Sequence, residues 1–177
     1  KFLQKLTDVD CFSPMCRLQT VRYLLATAVE RNWGCISTDI KNAFPCAQLP
    51  EPVWMEVPKA VLDMYSNPES DRYDLDKYEE LKNSYAFVSS ALYGLGHSPR
   101  AFHQHLDKWF RDNGWQALEA ESCAYIKLDA AGQHVVAMAA SFVDDCICVG
   151  TDEALEDYRR FMAEGYEISD LGEPTDF

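Results

Sequence analysis

Between His134 and Gly150 the chain is almost wholly apolar, and one polar break, the adjacent pair Asp144-Asp145 in SFVDDCIC, interrupts it. An ionised carboxylate buried without a partner costs several kcal/mol. One continuous buried strand is therefore excluded, and the chain has to reverse near the two aspartates. A strand starting near His134 and a strand over 146–149 then form an antiparallel hairpin, with both carboxylates at its tip.

The remaining pattern fits around this hairpin. Ser13-Pro14 reads as a helix start, with Ser as N-cap and Pro at the first helical position. The helix is predicted to run to about Glu30 on a stripe of Leu18, Val21, Leu25 and Ala28. In CISTDI, over 35–40, Ile36, Thr38 and Ile40 alternate with Cys35, Ser37 and Asp39, the signature of a strand. PVWMEV, over 52–57, is a second short strand. The acidic stretch 67–83 reads as a solvated loop with a short helix, and 85–93 as mixed strand and turn. Ser98-Pro99 repeats the helix-start signal. Phe102, Leu106, Trp109 and Phe110 follow at helical spacing, and Gly114 ends the helix. A strand over 123–129 and a third helix over 152–164, with Leu155, Tyr158, Phe161 and Met162 inward, complete the order. Helices separated by antiparallel hairpins indicate an α+β fold: an antiparallel sheet with helices packed on one face. No Gly-rich loop of the phosphate-binding kind follows a strand.

At 177 residues the chain suffices for one domain. No apolar run approaches the roughly 20 residues that span a membrane. Seven cysteines without a C-x-x-C pair, and four histidines without matching spacing, read as reduced thiols and packing imidazoles rather than a zinc site. The net charge of −13 by itself argues against nucleic acid, which favours basic surfaces.

A third carboxylate, Asp39, also lies at the end of an otherwise apolar strand. Were its strand a neighbour of the hairpin, three carboxylates would converge. An all-oxygen set suits Mg²⁺ or Mn²⁺, and two such ions can clamp the attacking and leaving oxygens of a phosphoryl transfer. An exposed turn, which Asp favours, accounts for the same letters, and spacing alone does not decide between them.

Six blocks in order carry a resemblance: CFSPMCRLQTVRYLLATA, STDIKNAF, VWMEVP, ALYGLGHSPRAFHQHLDKWF, SFVDDCICVG and FMAEGYEISDLGE. Together they resemble the reverse transcriptase domain of copia-type LTR retrotransposons, over nearly the whole chain. The resemblance implies a right-hand polymerase palm with partial fingers over 1–177, the thumb, connection and RNase H regions lying beyond Phe177. It implies an RNA-directed DNA polymerase that transfers nucleotides from dNTPs to a primer 3′-hydroxyl with two Mg²⁺ ions, Mn²⁺ being an alternative. Asp39, Asp144 and Asp145 would be catalytic and bind the metals, with the backbone carbonyl of Ile40. Phe44 would screen against the ribose 2′-hydroxyl. Tyr93, Gly94, Arg100 and Phe142 would contact nucleotide and template. The implied partners are an RNA template, a DNA primer and the integrase and RNase H portions of a Pol polyprotein. The implied locations are a cytoplasmic virus-like particle and the nucleus.

The chain also departs from the family pattern. Phe142 stands in place of Tyr, Gly96 in place of Lys, His97 in place of Gln, and Ser89 and Ser90 in place of two lysines. Of the basic fingers segment only Lys1 and Lys5 are present. Fewer cations near a polyanion mean fewer phosphate contacts. The alternatives are an inactive, decayed or host-adopted palm serving as an interaction module and, less in keeping with the motif order, a two-metal nuclease.

Overall fold

The computed structural model describes residues 11–172; Lys1 and Lys5 lie outside the described residues. The chain order is α1 (Leu18–Arg31), β1 (Gly34–Ile40), β2 (Gln48–Glu56), α2 (Lys59–Ser66), α3 (Leu75–Leu81), β3 (Tyr85–Ser90), α4 (Ser98–Asp112), β4 (Trp115–Leu118), β5 (Glu121–Leu128), β6 (Val135–Phe142), β7 (Asp145–Gly150), α5 (Asp152–Gly165) and β8 (Ile168–Gly172). A 3-10 turn, Phe44–Cys46, follows β1.

Six strands form one antiparallel sheet in the order β4-β5-β6-β7-β1-β8. β2 and β3 form a separate two-stranded sheet. The alternation expected in β1 holds, with Ile36, Thr38 and Ile40 buried. The hairpin also forms: β6 ends at Phe142, β7 begins at Asp145, and those two residues pair across a two-residue turn.

The helical layer differs from expectation, because helices cover both faces of the sheet rather than one. Ala137, Ala139, Cys146 and Cys148 pack with α4 and α5 residues such as Phe102, Phe110, Tyr158 and Phe161. Their strand neighbours Met138, Ala140, Ile147 and Val149 pack on the opposite side with Leu24 and Ala28 of α1. β6 and β7 are thus buried on both faces, which requires side chains that are apolar at consecutive positions.

Two helix starts also differ. α1 begins four residues after Pro14, and its N-cap Arg17 makes no side-chain cap. Glu121 of β5 serves the start instead: its carboxylate accepts from the Arg17 backbone N–H at 3.3 Å and the Thr20 hydroxyl at 3.2 Å. A tertiary contact therefore replaces the local cap. α4 does have Pro99 in its first turn, but its N-cap is His97. The buried Ser98 hydroxyl donates to the Leu92 carbonyl at 2.6 Å and accepts from the Leu92 N–H at 3.0 Å, closing the loop before the helix. α5 follows the local rules: Thr151 caps it through Ala154 N–H at 3.3 Å, and Asp152 and Glu153 occupy the first turn. Its predicted inward residues Leu155, Tyr158, Phe161 and Met162 are all buried.

The acidic stretch forms the exposed helix α3, capped by Asp74 accepting from Lys77 N–H at 3.0 Å. None of the seven cysteines is in a disulfide. Burial pushes the Cys123 thiol up to about 11 and that of Cys146 up to about 12, as expected of thiols that act as small apolar groups. Among the described residues no helix is long and apolar enough to cross a membrane.

Candidate functional site

The site is built where β1 meets the tip of the β6–β7 hairpin. β1 and β7 are antiparallel neighbours, and their register sets Asp39 opposite Asp145. Directly paired residues project to the same face of a sheet. Ile36 and Ile40 pack on the α4–α5 side, so Asp39, one position out of phase, faces the α1 side. The Ile40 N–H donates to the Asp144 carbonyl at 2.9 Å, fixing the turn against the end of β1. Asp39 is thus brought to the same sheet end as the adjacent pair Asp144-Asp145, more than a hundred positions later in the chain.

Asp145 carries an electrostatic trace of this gathering. Its pKa is raised, first by partial desolvation and then by the negative charges of Asp144 and Asp39. Asp39 and Asp144 are half-buried, and Asp145 is more exposed. Among the described residues no group of three His, Cys, Asp or Glu side chains is placed to hold a metal ion. The donor chemistry nevertheless fits a hard divalent cation, being all carboxylate oxygen.

The turn itself is strained. Val143 has φ of 58°, a region in which a β-branched residue is an outlier. Among the described residues the other two non-glycine residues with positive φ are Asn32 and Asn42, the residue type that tolerates it. A two-residue hairpin turn demands such a conformation, and here Val supplies it immediately before Asp144.

Behind the carboxylates, Thr38 is fully buried and its Oγ1 lies 3.2 Å from the Tyr158 hydroxyl of α5. This bond ties the residue before Asp39 to the helix beneath the sheet. On the other edge of β1, Ile40 pairs with Ile168 of β8. The Lys41 N–H donates to the Glu167 carbonyl at 2.9 Å, and its ammonium pairs with the Glu167 carboxylate at 3.0 Å. Neither anchor was apparent from sequence. The available signal was Thr38, a hydroxyl at a position whose strand neighbours are buried isoleucines.

The other sequence-predicted residues fall into two groups. Phe142 pairs with Asp145 and shares its face, with its ring half exposed. Phe44, in the 3-10 turn after β1, packs against the core on the α4 side. Its ring centroid is 4.7 Å from that of Tyr93 and 6.2 Å from that of Phe102. Gly94 follows Tyr93 with φ of 92°, a turn conformation suited to glycine. Arg100 lies in the first turn of α4, half-buried. The path from β1 into the 3-10 turn joins the carboxylate group to the aromatic one.

An apolar cleft of about 300 Å³ opens beside the carboxylates, between Leu18 and Val21 of α1 and the hairpin residues Ala140, Phe142 and Ile147, with Asp145 on its wall. The face carrying the carboxylates therefore has a recess next to it.

Comparison with known proteins gives this geometry a family. The chain is 22% identical to the Retrovirus-related Pol polyprotein from transposon TNT 1-94 of Nicotiana tabacum, over 92% of its own length and 11% of that protein. It is 26% identical to the Retrovirus-related Pol polyproteins from transposons RE1 and RE2 of Arabidopsis thaliana, over 82% of its own length and 9% of each of them. It spans about a tenth of the length of these relatives. No solved structure matches it. The pattern of the family described as "Reverse transcriptase (RNA-dependent DNA polymerase)" matches residues 4–177, and the chain belongs to that family.

Proposed function

We propose that this chain is the palm, with part of the fingers, of an RNA-directed DNA polymerase encoded within a retrotransposon Pol polyprotein. The observation that carries the reading is the register of β1 against β7, which sets Asp39 opposite Asp145 with Asp144 in the adjoining turn. Phosphoryl transfer needs positioning and charge neutralisation more than covalent participation by side chains. Rotation of the aspartates about their side-chain bonds, on a backbone held by strand pairing, would direct their oxygens to a common point.

In this reading Asp39 and Asp144 hold two Mg²⁺ ions, for which Mn²⁺ can substitute, with Asp145 and the Ile40 carbonyl completing the ligand set. When bound, the ions supply positive charge to the attacking and leaving oxygens. Asp145 orients the primer terminus, and Phe142 supports the primer end from the same sheet face. Phe44, backed by Tyr93, walls the sugar side of the incoming dNTP. Gly94 and Arg100 belong to the loop and helix start that line nucleotide and template. The template is RNA or DNA, and the basic groups that hold the polyanion come from other parts of the polyprotein, with a virus-like particle as the setting.

The test is primer extension on an RNA template by a polyprotein segment that includes this chain and its flanks. Asp39→Asn and Asp144→Asn are each expected to lower incorporation by about 10³-fold or more while leaving primer–template affinity within a few fold. Unchanged incorporation in both variants would overturn the assignment. Absence of incorporation in the unmodified protein, with flanks restored and Mg²⁺ or Mn²⁺ present, would favour the inactive interaction module.

A further inference from the structure

The two-stranded sheet of β2 and β3 has two unlike faces. Val53 and Val88 pair, as do Met55 and Ala86, and this inner face is half-buried, with Val53 packing on the main core. The outer face carries the pairs Trp54–Phe87 and Glu56–Tyr85. Trp54 and Phe87 are 60% and 59% exposed, with ring centroids 5.1 Å apart. Among the described residues fourteen large hydrophobic side chains are exposed, and six of them lie within 48–90: Trp54, Met64, Tyr73, Leu75, Tyr85 and Phe87. On the outer face of β2–β3 the exposed, adjacent rings of Trp54 and Phe87, with Tyr85 beside them, mark a contact site.

Glu56, which pairs with Tyr85 on this same face, and the acidic composition of the segment restrict what the contact is. Segment 48–90 holds nine carboxylates against four cations. Two of those cations, Lys77 and Lys82, are already engaged with Glu80 and Glu79 on α3. A single-stranded nucleic acid stacks on exposed rings, but its phosphates would meet this negative field. A second copy would bring the same acidic segment and a net charge of −13 against itself. A cationic polypeptide satisfies both features. Guanidinium groups lie over Trp and Phe rings and pair with carboxylates such as Glu56, while aliphatic stems cover the ring edges.

We infer that the outer face of β2–β3 docks an Arg-rich polypeptide segment, with Trp54 and Phe87 as its aromatic anchors. This surface is independent of the polymerase reading, since none of its residues belongs to the carboxylate site.

The test is fluorescence anisotropy of a short labelled peptide alternating Arg and Leu, titrated with the 177-residue chain. Controls are the same peptide with Glu in place of Arg and a labelled oligothymidylate. The Arg peptide is expected to bind with an affinity that falls with salt, and the Glu peptide is not. The double variant Trp54→Ser, Phe87→Ser keeps every charge and is expected to weaken binding by about tenfold or more. Trp54→Arg, which repels the peptide, provides a second variant, and circular dichroism checks that each remains folded. Full binding retained by a folded variant of either kind would overturn the inference, because attraction to net charge alone would then explain it. Trp54-dependent binding of the oligothymidylate in preference to the Arg peptide, or Trp54-dependent dimerisation in sedimentation, would also overturn it.

Discussion

Asp39 and Asp145 are cross-strand partners on one face of the sheet, held there by six consecutive β1–β7 pairs from Gly34–Gly150 to Asp39–Asp145. Placing two acidic residues directly opposite is unfavourable by itself. The pairing is maintained by the buried alternation on either side of it, where Ile36 and Thr38 of β1 and Cys146 and Cys148 of β7 reach the α4–α5 core or its helix.

Asp145 contributes a pH dependence to stability, through its partial burial first and the charges of Asp144 and Asp39 after it. The Asp145 pKa in the folded protein lies above its ordinary value of 3.8. The folded state therefore binds this proton more tightly than the unfolded chain does. The associated stability is present at low pH and lost as pH rises from about that value through the raised folded-state pKa. In metal-free buffer Asp145→Asn is expected to flatten this part of the stability–pH curve and raise Tm at neutral pH by about 1–2 °C. Thermal melts in chelator across the acidic range measure both.

Val143 is expected to be a site of stored strain. Val143→Asn places at φ of 58° a residue that tolerates the left-handed region, whereas the native side chain costs about 1–2 kcal/mol there. The variant should gain about 1 kcal/mol in urea denaturation after some loss of packing. A lower midpoint would show that contacts of the Val143 side chain outweigh the backbone cost.

Tyr158→Phe removes one half of the buried Thr38–Tyr158 hydrogen bond. The Thr38 hydroxyl then remains buried without its partner, at an expected cost of about 1–2 kcal/mol, or about 2–6 °C in Tm. Thr38→Val combined with Tyr158→Phe should recover part of the loss, because both polar groups are then gone. A double-mutant cycle reads the coupling.

Phe44→Val is expected to relax sugar discrimination within the proposed polymerase. The ratio of ribonucleotide to deoxyribonucleotide incorporation should rise by about tenfold or more, with deoxyribonucleotide use less affected. Single-nucleotide extension assays on an RNA template measure the ratio. An unchanged ratio would remove Phe44 from the sugar-facing wall.

Much of this architecture is legible in the sequence where a local rule governs it. The period-two burial of β1, the hairpin forced by Asp144-Asp145 and the Thr151-capped α5 all follow local patterns. β8 is different: ISDLG is short and mixed in polarity, and it is a strand because it pairs with the free edge of β1. The start of α1 depends on Glu121, about a hundred residues away, so the Ser13-Pro14 signal misleads. The second helical layer had a readable sign in VVAMAAS, whose consecutive apolar residues fit burial on both faces better than burial on one. For the site, the sequence names the carboxylates, and only the strand register shows which of them face each other. The left-handed Val143 gives no warning in the letters, because Val is among the residues least suited to it.

The β1–β7 register also fixes when the site comes into being. Its two facing carboxylates are 106 positions apart (145 − 39), and the strands between them belong either to the separate β2–β3 sheet or to the far side of the main sheet. Closing so long a loop carries its entropic cost before the pairing compensates for it. A ribosome that has released only the first half of the chain has exposed Asp39 on a strand with neither of its neighbours. The assembled carboxylate site therefore reports folding of both strands: the full β1–β7 pairing cannot precede the emergence of Gly150, and a product truncated before Asp144 has nothing with which to build it.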